Sequence, residues 1–75
     1  MNTNHALQAL REELEARGYK VRAIKMVMNP DPDSRMEWML SVDIGTERQE
    51  WYLMGTELAL QGVLREVREY FTPDW

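Results

Sequence analysis

The sequence predicts an α+β domain in which two helices cover one face of a three-stranded antiparallel meander, in the order α-β-β-β-α. A stripe of leucines near the start, a strict two-residue alternation in the middle and a second helical stripe near the end predict it. We expect a helix over residues 4–17, strands over 19–29, 35–44 and 47–54, and a helix over 57–72. The 75 residues, 1–75, are expected to form a single domain.

The first helix is predicted from a stripe of three leucines at helical spacing. The stripe consists of Leu7, Leu10 and Leu14. Thr3 or Asn4 is expected to cap the start of the helix. Gly18 suits the left-handed position that follows a helix, and Tyr19 is placed to pack back on Leu14, so we expect a Schellman motif at this end.

The central hairpin is predicted from alternation on both sides of a short turn. Its first strand carries apolar residues at every second position, namely Met36, Trp38, Leu40, Val42 and Ile44. Gly45-Thr46 suits a two-residue type II′ turn. This turn pairs Leu40 with Trp51 on the core face and Met39 with Tyr52 on the opposite face.

The first strand has two possible phases. Uninterrupted alternation places Ile24, Met26 and Met28 on the face away from the helices and leaves Lys25 in the core-facing row. A β-bulge near Ala23–Lys25 would instead turn the three apolar residues into the core. The sequence alone leaves both alternatives open.

The second helix is predicted to begin after a threonine cap and to end before a proline. Thr56 is suited to the cap and Glu57 to the positive end of the helix. Its core stripe consists of Leu60, Val63, Leu64, Val67 and Phe71. Pro73 disfavours helical conformation in the residue before it.

The composition excludes several classes of function. Without cysteine there are no disulfides and no thiolate metal sites. Nine basic against thirteen acidic residues give a net charge of −4, which opposes binding to phosphate backbones and anionic lipid. The chain shows neither a signal-peptide pattern nor the roughly 20 apolar residues that span a bilayer. We therefore expect a cytoplasmic protein without a membrane partner, and nucleic acid is an unfavoured partner.

The candidate binding residues are exposed apolar side chains. On the uninterrupted phase of the first strand, the open face of the sheet gathers Met26, Met28, Met39, Tyr52 and Met54, and methionine is frequent at adaptable binding surfaces. With the bulge, the patch shrinks to scattered residues of the ordinary kind. Leu58 and Gly62 are expected on the back of the second helix, and two alternatives are open there: a partner's backbone approaches closely, or Leu58 folds over the helix start. Trp75 either anchors a partner or covers the edge of the core.

No group of residues predicts catalysis or the binding of a cofactor or metal. Asp31-Pro32-Asp33-Ser34 lacks the glycine and glutamate of a calcium loop. A role for His5, the only histidine, as a base or a metal ligand would need further converging groups, and the sequence pattern indicates none. We therefore expect a protein that is not an enzyme.

The order of elements resembles that of the double-stranded-RNA-binding domain, a topology that some toxins share. The resemblance spans the whole chain but includes no motif. That family relies on lysines at the start of its second helix, where this chain reads Gly55-Thr56-Glu57-Leu58-Ala59-Leu60-Gln61. No residue role is carried over from it.

The leading hypothesis is a small, non-catalytic module that binds another protein through the exposed sheet face, as an inhibitor or adaptor. A phage or other mobile-element protein that counters host defence would suit this size, and a homodimer through the same face is compatible with it. The alternative hypothesis is a nucleic-acid-binding domain that uses Lys20, Arg22 and Lys25 with Tyr52 as a stacking platform.

Overall fold

The computed structural model describes residues 3–72, and its order of elements is the predicted one. The helices are α1 (Thr3–Ala16) and α2 (Glu57–Tyr70), and the strands are β1 (Ala23–Met28), β2 (Trp38–Asp43) and β3 (Arg48–Leu53). The strands form an antiparallel sheet in the order β1-β2-β3. Neither helix in residues 3–72 has the length and apolar character needed to cross a membrane.

The end of α1 has the predicted Schellman geometry. The backbone N–H of Tyr19 donates to the carbonyl of Leu14 at 3.2 Å, and that of Gly18 donates to Glu15 at 3.0 Å. Gly18 has φ +97°, a left-handed conformation that glycine adopts without a steric penalty. The chain therefore leaves α1 where the sequence predicted.

The predicted register of the hairpin is also confirmed. Leu40 lies opposite Trp51, and Met39 lies opposite Tyr52. Gly45 has φ +88°, whereas no non-glycine residue in the described part of the chain has a positive φ. A type II′ turn requires positive φ at its first central residue only, so these angles agree with the predicted turn.

The uninterrupted phase of the first strand is wrong. Met26 lies opposite Leu40, and Met28 lies opposite Trp38, so both occupy the row that faces the helices. Val21 is buried and Ile24, three residues later, also packs against the core, which strict alternation does not allow. The row changes just before β1, where the N–H of Arg22 donates to Asp43 at 2.8 Å although Ala23 is the partner of Asp43 in the register. Arg22 and Ala23 thus both lie opposite the single residue Asp43, as in a β-bulge.

Both helices pack on the same face of the sheet. The core consists of Leu10, Leu14, Val21, Leu40, Val42, Leu53, Leu60, Val63, Leu64, Val67 and Phe71. Arg17 at the end of α1 donates to the carbonyls of Arg68 and Phe71 at the end of α2, at 2.8 and 3.3 Å. The guanidinium of Arg68 in turn contacts the carboxylate of Glu13. The two helices therefore run parallel and are joined at their C-terminal ends.

Candidate protein-binding site

A cavity of about 500 Å³ lies at the end of the sheet where both helices begin. Its apolar wall is formed by Met26, Trp38, Leu53, Met54 and Leu60. Its polar wall is formed by Thr3 and Asn4 of α1 together with Gly55, Thr56 and Glu57 at the start of α2. All three strands and both helices contribute residues to the lining of the cavity, so the cavity depends on the whole fold.

The surroundings of the cavity are apolar and accessible. Met28 follows Met26 along β1 and is 73% exposed, and it lies opposite Trp38, which is itself 36% exposed. Leu58 in the first turn of α2 is 84% exposed. Met54 in the cavity wall is exposed as well. This end of the molecule therefore presents flexible methionines beside one large aromatic ring, a composition typical of adaptable binding surfaces.

Backbone contacts position the wall of the cavity. A carboxylate oxygen of Glu37 accepts a hydrogen bond from the N–H of Gly55 at 3.0 Å and joins the start of β2 to the segment before α2. The Trp38 ring lies directly over Gly55, because a Cβ added at Gly55 would lie 3.0 Å from its Nε1 atom. Because Gly55 has no side chain, the Trp38 ring can pack closely against the backbone of Gly55. Thr56 caps α2 by accepting from the N–H of Ala59 at 3.1 Å, as predicted.

The opposite face of the sheet, which the helices do not cover, has one apolar row. It consists of Val27, Met39 and Tyr52, one residue from each strand. The next row is polar and consists of Lys25, Ser41 and Glu50. The Tyr52 hydroxyl donates to Glu50 at 3.2 Å, and partial desolvation, then this bond and the charges of Glu50 and Asp31, raise the pKa of Tyr52. The uncovered face is therefore a mixed surface, and its residues line neither of the two cavities on the helix side.

The structure divides the predicted site residues between two surfaces. Met39 and Tyr52 lie on the uncovered face as predicted. The placement of Met26, Met28 and Met54 on that face is wrong, because Met26 and Met54 line the cavity on the helix side and Met28 lies beside them. The change of phase before β1 moves Met26 and Met28 to the helix side of the sheet. Met54 follows Leu53, the last residue of β3, and lies outside the paired part of the strand. Leu58 projects outward and does not fold over the helix start. Trp75 lies outside the described residues.

The residues of the alternative nucleic-acid hypothesis do not converge. The side chain of Arg22 lies along the β2–β3 turn, since a Cβ on Gly45 would be 3.3 Å from its Cδ atom. Lys25 and Tyr52 stand on different edge strands and in different rows of the sheet. Glu50 is hydrogen-bonded to Tyr52 and would face a phosphate there. The geometry therefore gives this alternative no specific support.

Two residues of the cavity wall, Trp38 and Leu60, belong to apolar rows that the sequence predicts to face the core, and Leu53 lies opposite Trp38. The available signal was the position of Trp38 at the start of its strand and of Leu53 at the end of the next. Paired residues at the end of a sheet lie where a covering helix begins or ends, so they are the least completely covered part of an apolar row.

Comparison of the chain with protein-family models, curated proteins and solved structures found no match.

Proposed function

We propose that this chain is a small, non-catalytic protein-binding module that receives an apolar segment of a partner in the cavity between the starts of its two helices. The observation that carries the proposal is the cavity of about 500 Å³ with five apolar residues in its wall. Concave, mainly apolar sites of this volume, with a few polar groups at the rim, are the usual form of recognition sites.

The rim favours a protein over a small molecule as the partner. Met28 and Leu58 are largely exposed and lie outside the cavity wall. A small molecule enclosed by the cavity would leave these side chains in water, whereas a protein surface would cover them together with the cavity. Exposed apolar groups that surround a concave site are typical of protein interfaces. By covering part of its partner, the module would act as an inhibitor or as an adaptor.

The proposal moves the binding surface from the uncovered sheet face to the cavity. The uncovered face offers the single row of Val27, Met39 and Tyr52 beside a polar row. The cavity offers a larger and concave apolar area, and three of the predicted residues, Met26, Met28 and Met54, lie in or beside it.

Two matched charge substitutions distinguish the surfaces. Met54→Lys introduces a charge into the cavity wall at a side chain that is 42% exposed, and Tyr52→Lys does the same on the uncovered face at 48%. Each variant would be immobilised beside the parent protein, and captured host proteins would be quantified by mass spectrometry after thermal unfolding has shown that the variants fold.

The proposal predicts a host protein that the parent and Tyr52→Lys retain and Met54→Lys loses, because an unpaired charge in a desolvated contact costs several kcal/mol. Loss with Tyr52→Lys alone would assign binding to the uncovered face. Equal capture by all three proteins would contradict both surfaces.

A further inference from the structure

The outer edge of β1 is unpaired in the described part of the chain. The sheet order β1-β2-β3 leaves β1 with β2 as its one neighbour. The N–H of Asn29 donates to Glu37 at 3.0 Å, in continuation of the β1–β2 register. Because bonding directions alternate along an antiparallel strand, Val27 and Lys25 bond to β2. The backbone N–H and C=O groups of Ile24, Met26 and Met28 therefore point outward.

Two cavities lie beside this edge on the helix side. The smaller, of about 180 Å³, is lined by Ile24 and by four residues of α1, namely Asn4, Leu7, Gln8 and Arg11. The larger is the cavity described above, to which β1 contributes Met26, and Asn4 lines both. Ile24 and Met26 are two residues apart, which is the spacing of successive side chains on one face of a strand.

By their general dimensions, a layer of two helices is wider than a sheet of three strands. Two helices with their side chains cover about 20 Å, whereas three strands spaced at about 4.8 Å cover about 14 Å. The difference is about one strand. The smaller cavity, between α1 and Ile24, shows that the uncovered width lies on the β1 side.

We propose that β1 accepts one extended segment of a partner protein as a fourth strand, whose alternate apolar side chains enter the two cavities. This inference rests on the proposed function and specifies how the partner binds. Strand addition of this kind derives affinity from main-chain hydrogen bonds and specificity from pockets for alternate side chains.

The dimensions favour a single strand over a second copy of this chain. Pairing two β1 edges would give six strands, about 29 Å across at the usual strand spacing. Four helices on the same face of that sheet would need about 40 Å. The two copies of α1 would therefore collide, whereas a bare strand fits beneath one of them.

The charges along this edge indicate the composition of the strand. Lys25 projects from β1 toward the uncovered face and is the one charged residue of this strand. Lys20 precedes it, and Arg11, which is paired with Glu15 at 3.4 Å, donates to the carbonyl of Val21 at 2.8 Å. In a chain with net charge −4 this edge is locally basic. The segment should thus alternate apolar residues toward the helices with acidic residues toward Lys25.

The test uses a labelled synthetic peptide of about ten residues in which valine alternates with glutamate, and a control peptide in which lysine replaces glutamate. Met28→Pro removes an outward N–H and leaves the β1–β2 bonds in place. Met28→Ala makes the same loss of an exposed side chain but keeps the N–H. Lys25→Glu reverses the charge. Binding is measured by fluorescence anisotropy, and folding by thermal unfolding.

The glutamate peptide should bind Met28→Pro roughly tenfold more weakly than Met28→Ala, because both variants lack the same side chain and only the proline variant also lacks the outward N–H. Lys25→Glu should shift the preference toward the lysine peptide by about fivefold. If Met28→Pro does not fold, the change in peptide preference of Lys25→Glu tests strand addition on its own.

Equal binding of both peptides, or no binding, would overturn the strand-addition proposal. A parent dimer in light scattering that becomes monomeric in Met28→Pro would overturn the choice of occupant. If the peptides bind equally or not at all, but the capture experiment finds a host protein that binds the parent and not Met54→Lys, strand addition fails and the proposed function stands. If no host protein depends on Met54, the proposed function fails.

Discussion

Alanine in place of two glycines should change stability in opposite directions. Gly62 lies inside α2, and a Cβ added there meets no atom within 4 Å apart from the adjacent backbone of the helix itself. Alanine restricts the unfolded chain more than glycine does and is the better helix former, so Gly62→Ala should stabilise the protein by about 0.5–1 kcal/mol. Gly18 also has free space around its Cβ position, but its φ is +97°. A left-handed alanine costs about 1–2 kcal/mol, and Gly18→Ala should destabilise by that amount.

These energies correspond to measurable shifts in the thermal midpoint. For a domain of 60–100 residues, 1 kcal/mol shifts Tm by roughly 4–8 °C. Gly62→Ala should therefore raise Tm by about 2–8 °C, and Gly18→Ala should lower it by about 4–16 °C. Calorimetry or circular dichroism on dilute protein gives both values, and urea unfolding checks them independently. An unchanged or lower Tm for Gly62→Ala would refute the reasoning. A more stable Gly62→Ala protein that loses its partner would instead show that the back of α2 contacts that partner.

Three further predictions concern the core, the pH dependence and nucleic acid. Trp51→Ala should lower the free energy of unfolding by about 3 kcal/mol, because the ring stacks edge-on against Tyr70 and Phe71 at 5.7 and 6.2 Å; a small shift in the urea midpoint would contradict this. Hydrogen bonds from Gln49 and then Tyr70 lower the pKa of Glu47 below 4.5, so this carboxylate stabilises the fold above that pH and the contribution is lost as pH falls through its folded pKa. By NMR titration, Tyr70→Phe should raise the pKa of Glu47, and an unchanged value would show that the hydrogen bond is not formed. Duplex DNA and RNA should not bind measurably at physiological salt, and micromolar binding that weakens steeply with added salt would support the alternative hypothesis.

Local signals explain why most of the fold could be predicted from the sequence. The turn at Gly45, the left-handed Gly18 and the cap at Thr56 each depend on residues that are neighbours in the chain. The strict alternation of β2 then leaves one register for β3, because a shift by one residue would expose Leu40 and Val42. These elements need no knowledge of distant contacts.

The phase of β1 depends on packing that the sequence does not specify. Apart from Lys25, the residues on both faces of this strand are apolar, so alternation distinguishes the faces only weakly. The choice is made by the core, which takes both Val21 and Ile24 and thereby requires the change of phase before Ala23. This single change moves Met26 from the uncovered face to the cavity. The candidate site was therefore partly predicted by residue type and wrongly placed.

The parallel arrangement of the helices explains why the cavity lies at this end. Parallel helices bring dipole ends of the same sign together. At the C-terminal ends, the positive charge of Arg17 offsets this repulsion by bonding to two carbonyls of α2, and it draws the helices together. Among the described residues, the first turn of α1 contains no acidic side chain, whereas that of α2 contains Glu57. The joined ends cover the core, with Leu14 and Phe71 almost fully buried. At the N-terminal ends, residues from the first turns of both helices line the cavity, and this space is the site.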